Sequence, residues 1–152
     1  MDDRPKAILS WSSGKDSAWS LHVLRTRREV EVAGLLTTVN EVHSRVAMHA
    51  VRVELLEAQA QAAGLPLWKI PIPSPCSNAE TGVAPIFPIW AMPTRELAYE
   101  MVKSGLRARV TCVDPKQLPE SFAGREFDAR FLADLPSDVD PCGERGEFHT
   151  FA

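Results

Sequence analysis

Near its amino terminus the chain reads Ile8-Leu9-Ser10-Trp11-Ser12-Ser13-Gly14-Lys15-Asp16-Ser17, an apolar run that breaks into small polar residues. This order predicts a buried strand, a tight turn and the start of a helix. The first N–H groups of a helix have no partner inside it, and the helix dipole adds partial positive charge there. Gly14 gives the turn its backbone freedom, and Lys15 adds a full charge. The stretch therefore predicts a phosphate-binding turn, with a nucleotide as its ligand.

Two other interpretations of the turn can be weighed from its spacing. A Walker A loop requires a glycine at the position of Leu9, and Ser or Thr at the position of Asp16. The turn is therefore not a Walker A loop. A Ser- and Gly-rich turn that only caps a helix stays as the structural alternative.

Length and composition indicate one globular domain over residues 1–152. Hydrophobic residues make up 45% of the chain and charged residues 24%, which is enough apolar material for a packed core. The net charge of −3 argues against a broad basic face, so nucleic acid is not expected as a partner. The amino terminus lacks the regions of a signal peptide, and no apolar run has the length of a membrane span. We therefore expect a cytoplasmic protein without a membrane partner.

The three cysteines are far apart in the sequence. Cys76, Cys112 and Cys142 form no C-x-x-C pair, so a zinc site or a disulfide framework is not expected. We expect reduced thiols that pack as small apolar groups.

Apolar periodicity predicts alternating strands and helices in the first half of the chain. Two continuous apolar runs extend from Lys6 to Trp11 and from Val30 to Thr38. Between them, apolar positions recur at helical spacing. A strand, a helix and a second strand at this spacing imply a right-handed parallel crossover. The pattern predicts a three-layer α/β/α fold with a mostly parallel sheet.

Further elements are predicted along the chain. They are a helix from Val46 that ends at Gly64, a strand from Leu67 to Ile72 and a stiff loop from Pro73 to Asn78. A packed connection over Ile86 to Trp90, a helix from Pro93 to Gly105 and a final short helix around Phe131 follow. Arg107 to Val113 alternates, which predicts a strand with Ala108, Val110 and Cys112 on its buried side.

Polar clusters follow four of the predicted strands. They are residues 12–17, 37–45 and 74–78, and Asp114 after the late strand. Ligands of an open parallel sheet bind beyond the carboxyl ends of its strands. We therefore expect these clusters to converge on one site.

The turn resembles the pyrophosphate-binding loop Ser-Gly-Gly-x-Asp-Ser of the N-type ATP pyrophosphatases, with Ser13 in place of glycine at the second position. Other motifs extend the resemblance to the diphthine–ammonia ligase family and its bacterial relatives, over nearly the whole chain. These motifs are Leu35 to Thr38, Gln59 to Pro66, Pro75 to Asn78, Thr111 to Asp114, and Gly143-Glu-Arg-Gly-Glu-Phe-His-Thr150.

The resemblance implies an adenine nucleotide α-hydrolase-like, Rossmann-like fold that binds ATP with Mg²⁺. AMP would be transferred to a carboxyl oxygen of an acceptor, and ammonia would displace AMP to give an amide, with pyrophosphate as the other product. ATP, ammonia and a carboxylate acceptor, a protein side chain among the candidates, are the implied partners. Association into a homo-oligomer is left open.

Site residues follow from the same motifs. The expected nucleotide-binding residues are Ser10, Ser12, Ser13, Gly14, Lys15, Asp16, Ser17, Thr37 and Thr38, and Asp16 is the expected Mg²⁺ ligand. The expected catalytic residues are Lys15, Glu144, Glu147 and His149, with His149 as a proton carrier. A glycine-kinked turn capped by carboxylates is the structural alternative for this carboxyl-terminal motif.

The chain also departs from the family pattern. Glu80 is followed directly by Thr81-Gly82, where relatives carry a further strand, and relatives continue past the last motif. Either the protein is naturally shortened or this sequence lacks segments of it, and a missing strand would leave part of the acceptor pocket open. A nucleotide-binding regulatory module without turnover is the alternative function, and an RNA-modifying thiolase ranks last because neither a persulfide cysteine nor a basic face is evident.

Overall fold

The computed structural model describes residues 3–40, 45–46, 52–71 and 86–152. Its strands are β1 (Lys6–Ser10), β2 (Glu31–Asn40), β3 (Arg45–Val46), β4 (Leu67–Pro71), β5 (Arg109–Val113) and β6 (Phe148–Phe151). Its helices are α1 (Lys15–Arg27), α2 (Val53–Ala63), α3 (Thr94–Lys103) and α4 (Ala129–Asp134), with a 3₁₀ turn at Glu120–Phe122. The chain divides into two compact units, one of Met1–Ser13 and Ser20–Ile89, and one of Gly14–Trp19 and Trp90–Ala152. The expectation of a single domain over residues 1–152 stays a prediction.

The first unit is built on a mostly parallel sheet. β2 lies between β1 and β4 and pairs in parallel with both, while β3 adds an antiparallel pair to the end of β2. The chain moves in the same direction through both crossovers, so right-handed connections place α1 and α2 on the same side of the sheet. Arg25 of α1 donates to the backbone oxygen of Ala63 in α2, which agrees with that placement. The architecture confirms the predicted α/β class.

The two faces of this sheet differ in burial. Leu35 on β2 and Leu56 on α2 are fully buried, which places the core of the unit on the helical side. The side chains of Ile8, Trp68 and Ile70 are 43–58% exposed. Trp68 covers Gly34, because a Cβ atom at that glycine would overlap the indole ring.

Helix α2 begins later than predicted. Val46 pairs with Val39 in a strand, so the helix starts only at Val53. Its end is as predicted, because Gly64 adopts a left-handed conformation with φ of +66° and its N–H contacts the last carbonyl groups. His49, which lies within the predicted helix, and the predicted loop from Pro73 to Asn78 are outside the described residues.

The second unit has an aromatic core over a small antiparallel sheet. Phe131 meets Phe122 and Phe148 edge to face at ring distances of 5.7 and 5.2 Å. β5 pairs with β6, and a register shift between Val110 and Cys112 interrupts the alternation. Val110 is therefore buried as predicted, whereas Cys112 is exposed, contrary to the prediction.

Two further expectations are wrong. Asp114 follows a strand of the antiparallel pair rather than of the parallel sheet, and its carboxylate holds its own turn by accepting from Lys116 and Gln117. The segment from Ile86 to Trp90 is not a packed connection, because Phe87 is 64% exposed and Trp90 is 78% exposed.

Candidate functional site

Ser13 lies in the turn that follows β1, and its backbone conformation is unusual for a residue with a side chain. Its φ of +70° lies in the left-handed region, which glycine adopts freely and other residues rarely do. The side chain is fully buried, and its Oγ has no hydrogen-bond partner within the described structure. A buried hydroxyl without a partner loses its hydration without compensation, so it is suited to a ligand oxygen.

Thr37 repeats this feature on the neighbouring strand. Trp11 donates its backbone N–H to the oxygen of Leu36 at 2.7 Å, so the end of β1 lies beside this part of β2. The Thr37 side chain is 2% exposed, and its Oγ1 likewise lacks a partner among the residues that the structure describes. Two buried hydroxyl groups are thus left at adjoining strand ends of one parallel sheet, where ligands of such sheets bind.

Three other predicted nucleotide-binding residues in the first unit are more accessible. Ser10 is exposed, while Ser12 and Thr38 are half-buried. Thr38 leaves β2 on the face opposite Thr37, because side chains alternate along a strand. The structure therefore brings Ser13 and Thr37 to the same strand ends, and the binding roles of the other three stay predictions.

The turn continues into the second unit at the start of α1. Ser17 Oγ donates to the oxygen of Gly14 at 2.9 Å and so holds the first helical turn. The backbone N–H of Lys15 donates to Thr150 Oγ1 on β6 at 3.1 Å. One of the N–H groups that a helix terminus leaves without a helical partner is therefore used by the protein itself.

The Lys15 side chain is directed into the interior of the second unit, where it is 1% exposed. Its Nζ donates to both carboxylate oxygens of Asp16, at 2.8 and 2.9 Å, and to the backbone oxygen of Cys142 at 2.5 Å. It also lies 5.6 Å from the ring centre of Phe127 and 5.9 Å from that of Phe148. The ammonium is therefore held by one carboxylate and one backbone carbonyl of the protein itself.

The carboxyl-terminal motif forms a turn held by the buried carboxylate of Glu147 and the half-buried one of Asp140. Glu147 is 1% exposed, and its two oxygens accept the backbone N–H groups of Asp140 and Arg145, both at 2.9 Å. Asp140 in turn accepts from the N–H of Cys142 and the hydroxyl of Thr94. Glu147 thus maintains this turn, in agreement with the structural alternative for the motif, and its catalytic role stays a prediction.

Glu144 and His149 lie differently within this motif. Glu144 is exposed as a residue, but partial burial of its carboxyl raises the pKa of that group. The negative charges of Asp16 and Asp140 raise the pKa further, while the positive charge of Lys15 lowers it. His149 is half-buried and leaves β6 on the face opposite Thr150, which contacts Lys15. The structure therefore brings Glu144 close to the Lys15–Asp16 pair and does not bring His149 there. Both catalytic roles stay predictions.

Asp16 was predicted to bind Mg²⁺, and its carboxylate is held by Lys15. Within the described ranges, no group of three or more His, Cys, Asp or Glu side chains is arranged to hold a metal ion. Mg²⁺ commonly keeps only one or two carboxylates and takes its other ligands from substrate phosphates and water. Asp16 with a bound triphosphate is compatible with that pattern.

Several contacts of the site were not predicted from the sequence. Gln59 contacts the turn at Trp11 and Ser13, Thr150 accepts from Lys15, and Cys142 contributes its backbone carbonyl. Gln59 and Thr150 lie in motifs of the family resemblance, which gave a signal for their importance but none for their partners. A backbone carbonyl has no sequence signature.

The described structure is that of an α/β protein whose parallel sheet carries two buried hydroxyl groups near adjoining strand ends. Residues 5–78 match the family model of the diphthamide synthase N-terminal domain, and residues 93–152 match that of the diphthamide synthase C-terminal domain. The chain belongs to this family, the diphthine–ammonia ligases, as its motifs indicated. Membership implies the three-layer α/β/α Rossmann-like fold, an ATP-pyrophosphatase-type ligase family and the use of ATP.

No curated protein matches the chain. Among the helices of the described residues, none is both long and apolar enough to span a membrane.

Proposed function

We propose that this chain binds ATP with Mg²⁺ and forms an amide through an acyl-adenylate, with release of AMP and pyrophosphate. A carboxylate is a poor electrophile, so one of its oxygens must first be esterified to the α-phosphate. Ammonia then attacks the acyl carbon, and AMP leaves with the bonding electrons. The family supports ATP-dependent ligation, and the order of these steps is our proposal.

The observation that carries the proposal is the pair of buried hydroxyl groups on Ser13 and Thr37. Leaving two such groups without partners lowers stability, by roughly 1–3 kcal/mol each in proteins generally. A ligand rich in oxygen atoms compensates that cost when it binds. Phosphate oxygens accept hydrogen bonds from hydroxyl groups, so the pair supports a phosphate-bearing ligand at this edge of the sheet.

A cavity in the second unit supports a place for the acceptor. Its volume is about 270 Å³, and Arg95 and Arg145 line it together with Asp138 and Asp140. No hydrogen bond or ion pair engages either guanidinium group within the part of the chain that the structure describes. Guanidinium groups bind carboxylates in a bidentate manner, so this cavity suits the acceptor carboxylate in our proposal.

The first experiment measures binding of ATP with Mg²⁺ by calorimetry for the wild type, Ser13→Ala and Thr37→Val. We expect each variant to bind about tenfold more weakly, the effect of losing one good hydrogen bond to a charged group. Thr37→Val should also be more stable, because a methyl group replaces a buried hydroxyl that has no partner. Thr111→Val is the matched control, since that threonine is exposed and bonds to the backbone of His149. Unchanged affinity in both site variants would contradict the proposed position of the nucleotide.

The second experiment identifies the products formed from ATP with ammonium and a panel of small carboxylates and carboxylate-bearing peptides. AMP and pyrophosphate support the proposal, and ADP with phosphate overturns it.

One observation favours a second function, the regulatory module that binds nucleotide without turnover. Lys15, the expected catalytic cation, is buried, and its ammonium is held by Asp16 and by the backbone oxygen of Cys142. Binding of ATP without AMP formation for any acceptor of the panel would support that module and contradict the ligase.

A further inference from the structure

We propose that Gln59 is a positioning residue, which holds the phosphate-binding turn in shape by fixing the backbone of Ser13. The inference rests on the proposed nucleotide site and adds a residue to which neither the motifs nor the family models assign a role. It concerns the first unit alone, because Gln59, Trp11 and Ser13 all belong to that unit.

Gln59 reaches the turn from helix α2 and bonds to it on both sides of Ser12. Its Nε2 donates to the backbone oxygen of Ser13 at 3.2 Å, and its Oε1 accepts from Trp11 Nε1 at 3.1 Å. Trp11 is 5% exposed, so the indole N–H is fixed by packing and sets the orientation of the Gln59 amide.

The chemistry of the two partners requires an amide at position 59. An indole N–H can only donate a hydrogen bond, and a backbone carbonyl can only accept one. The side chain between them must therefore offer one acceptor and one donor. Glutamate retains the acceptor for Trp11 but places a second oxygen against the Ser13 carbonyl, and leucine offers neither group.

The bond to Ser13 acts where the turn has an unfavourable backbone conformation. The φ of +70° at Ser13 is costly for any residue that carries a Cβ atom. A hydrogen bond to its carbonyl oxygen fixes the peptide plane between Ser13 and Gly14. Without that bond the plane can rotate, and the buried hydroxyl of Ser13 would leave the position in which it meets a phosphate.

A double-mutant cycle tests this coupling. The proteins are the wild type, Gln59→Leu, Ser13→Gly and the double variant, and the probe is ATP with Mg²⁺. We expect Gln59→Leu to weaken binding about tenfold in the serine background. Glycine adopts a positive φ without help, so the same substitution should weaken binding less than about threefold in the Ser13→Gly background. The affinities with and without Gln59→Leu are compared within each background, because Ser13→Gly itself removes the hydroxyl and weakens binding.

Two further variants sharpen the test. Gln59→Glu retains the bond to Trp11 and loses the one to Ser13, so we expect an affinity loss at least as large as for leucine. It also replaces Gln59→Leu if that variant does not fold. Gln61→Leu is the matched control, because Gln61 is an exposed glutamine on the same helix.

Equal losses of affinity in the serine and glycine backgrounds would overturn the positioning role. If the wild type binds no ATP, the proposed function fails, and the melting temperatures of the same four proteins then decide about Gln59. A smaller decrease for Gln59→Leu in the glycine background supports the role, and additive decreases reject it.

Discussion

The ammonium group of Lys15 donates a hydrogen bond to the backbone oxygen of Cys142, a residue 127 positions further along the chain. The contact joins the start of α1 to the carboxyl-terminal turn inside the second unit. Lys15 therefore has a structural role in addition to the catalytic one predicted for it. Loss of activity on its substitution is informative only if stability is measured as well.

Lys15→Met should destabilise the protein by about 2 kcal/mol, because the methionine retains the aliphatic packing and leaves the buried Cys142 carbonyl without its donor. The adjacent Asp16 carboxylate is 42% exposed and can be hydrated, so its loss of a partner adds little. Urea unfolding provides the measurement, with Lys103→Met on the surface of α3 as the control. Equal unfolding midpoints for Lys15→Met and the wild type would show that the contact contributes nothing.

Gly143→Ala should be more destabilising than Gly146→Ala, although both glycines have a positive φ, of +73° and +82°. A Cβ atom at position 143 would lie 2.7 Å from the backbone oxygen of Phe148, whereas nothing lies within 4 Å of one at position 146. Both variants share the conformational cost of about 1 kcal/mol, and the overlap adds about 2 kcal/mol to the first. The difference in melting temperature between Gly143→Ala and Gly146→Ala measures the cost of the steric overlap. Similar decreases in both variants would mean that the turn relaxes around the new Cβ atom.

Glu147→Gln should destabilise the protein by about 2 kcal/mol, since one of two partly buried backbone N–H groups then faces an amide NH₂ group instead of an oxygen. Urea unfolding at neutral pH measures this effect. The exposed Glu144, in the same turn, is the natural comparison, because Glu144→Gln breaks no hydrogen bond between described residues. A Glu147→Gln variant as stable as Glu144→Gln would contradict the role of Glu147 in holding the turn.

Glu144→Gln should increase stability slightly at pH 7, within about 0.5 kcal/mol because the site is near the surface. Burial and neighbouring carboxylates raise the pKa of Glu144 in the folded state, so its ionised form opposes folding. Wild-type protein gains stability relative to the variant as the pH falls through the folded pKa towards the ordinary value of 4.5. Melting temperatures of both proteins between pH 4 and pH 7 test this prediction. It is wrong if Glu144→Gln is less stable than the wild type at pH 7.

Cys142 should resist alkylation in the folded protein, while Cys112 reacts. Burial raises the pKa of the Cys142 thiol to about 12, and the nearby ammonium of Lys15 offsets only part of that effect. Cys112 is exposed. The test uses a Cys76→Ser variant, which is treated with iodoacetamide at pH 8 and examined by mass spectrometry. We expect label at Cys112 alone until urea unfolds the chain. Equal labelling of both thiols in the folded protein would contradict the burial.

The local elements of the fold could be predicted because their causes are local. The apolar run at residues 6–10, the glycine at position 14 and the helical spacing that follows specify a strand, a turn and a helix. Gly64 likewise ends α2 where its sequence indicates. Val46 was assigned to the wrong element, because its pairing with Val39 depends on a neighbouring strand rather than on its own periodicity.

The amino-acid sequence by itself determined the α/β class, the family and the turn that carries the proposed nucleotide site. Only the tertiary structure decided that Lys15 is directed towards Cys142, that Glu147 holds the turn of its own motif, and that Gln59 joins Trp11 to Ser13. The reason is physical: periodicity and turn residues act over a few positions, whereas a buried polar group takes whichever partner the packing of distant segments brings within reach.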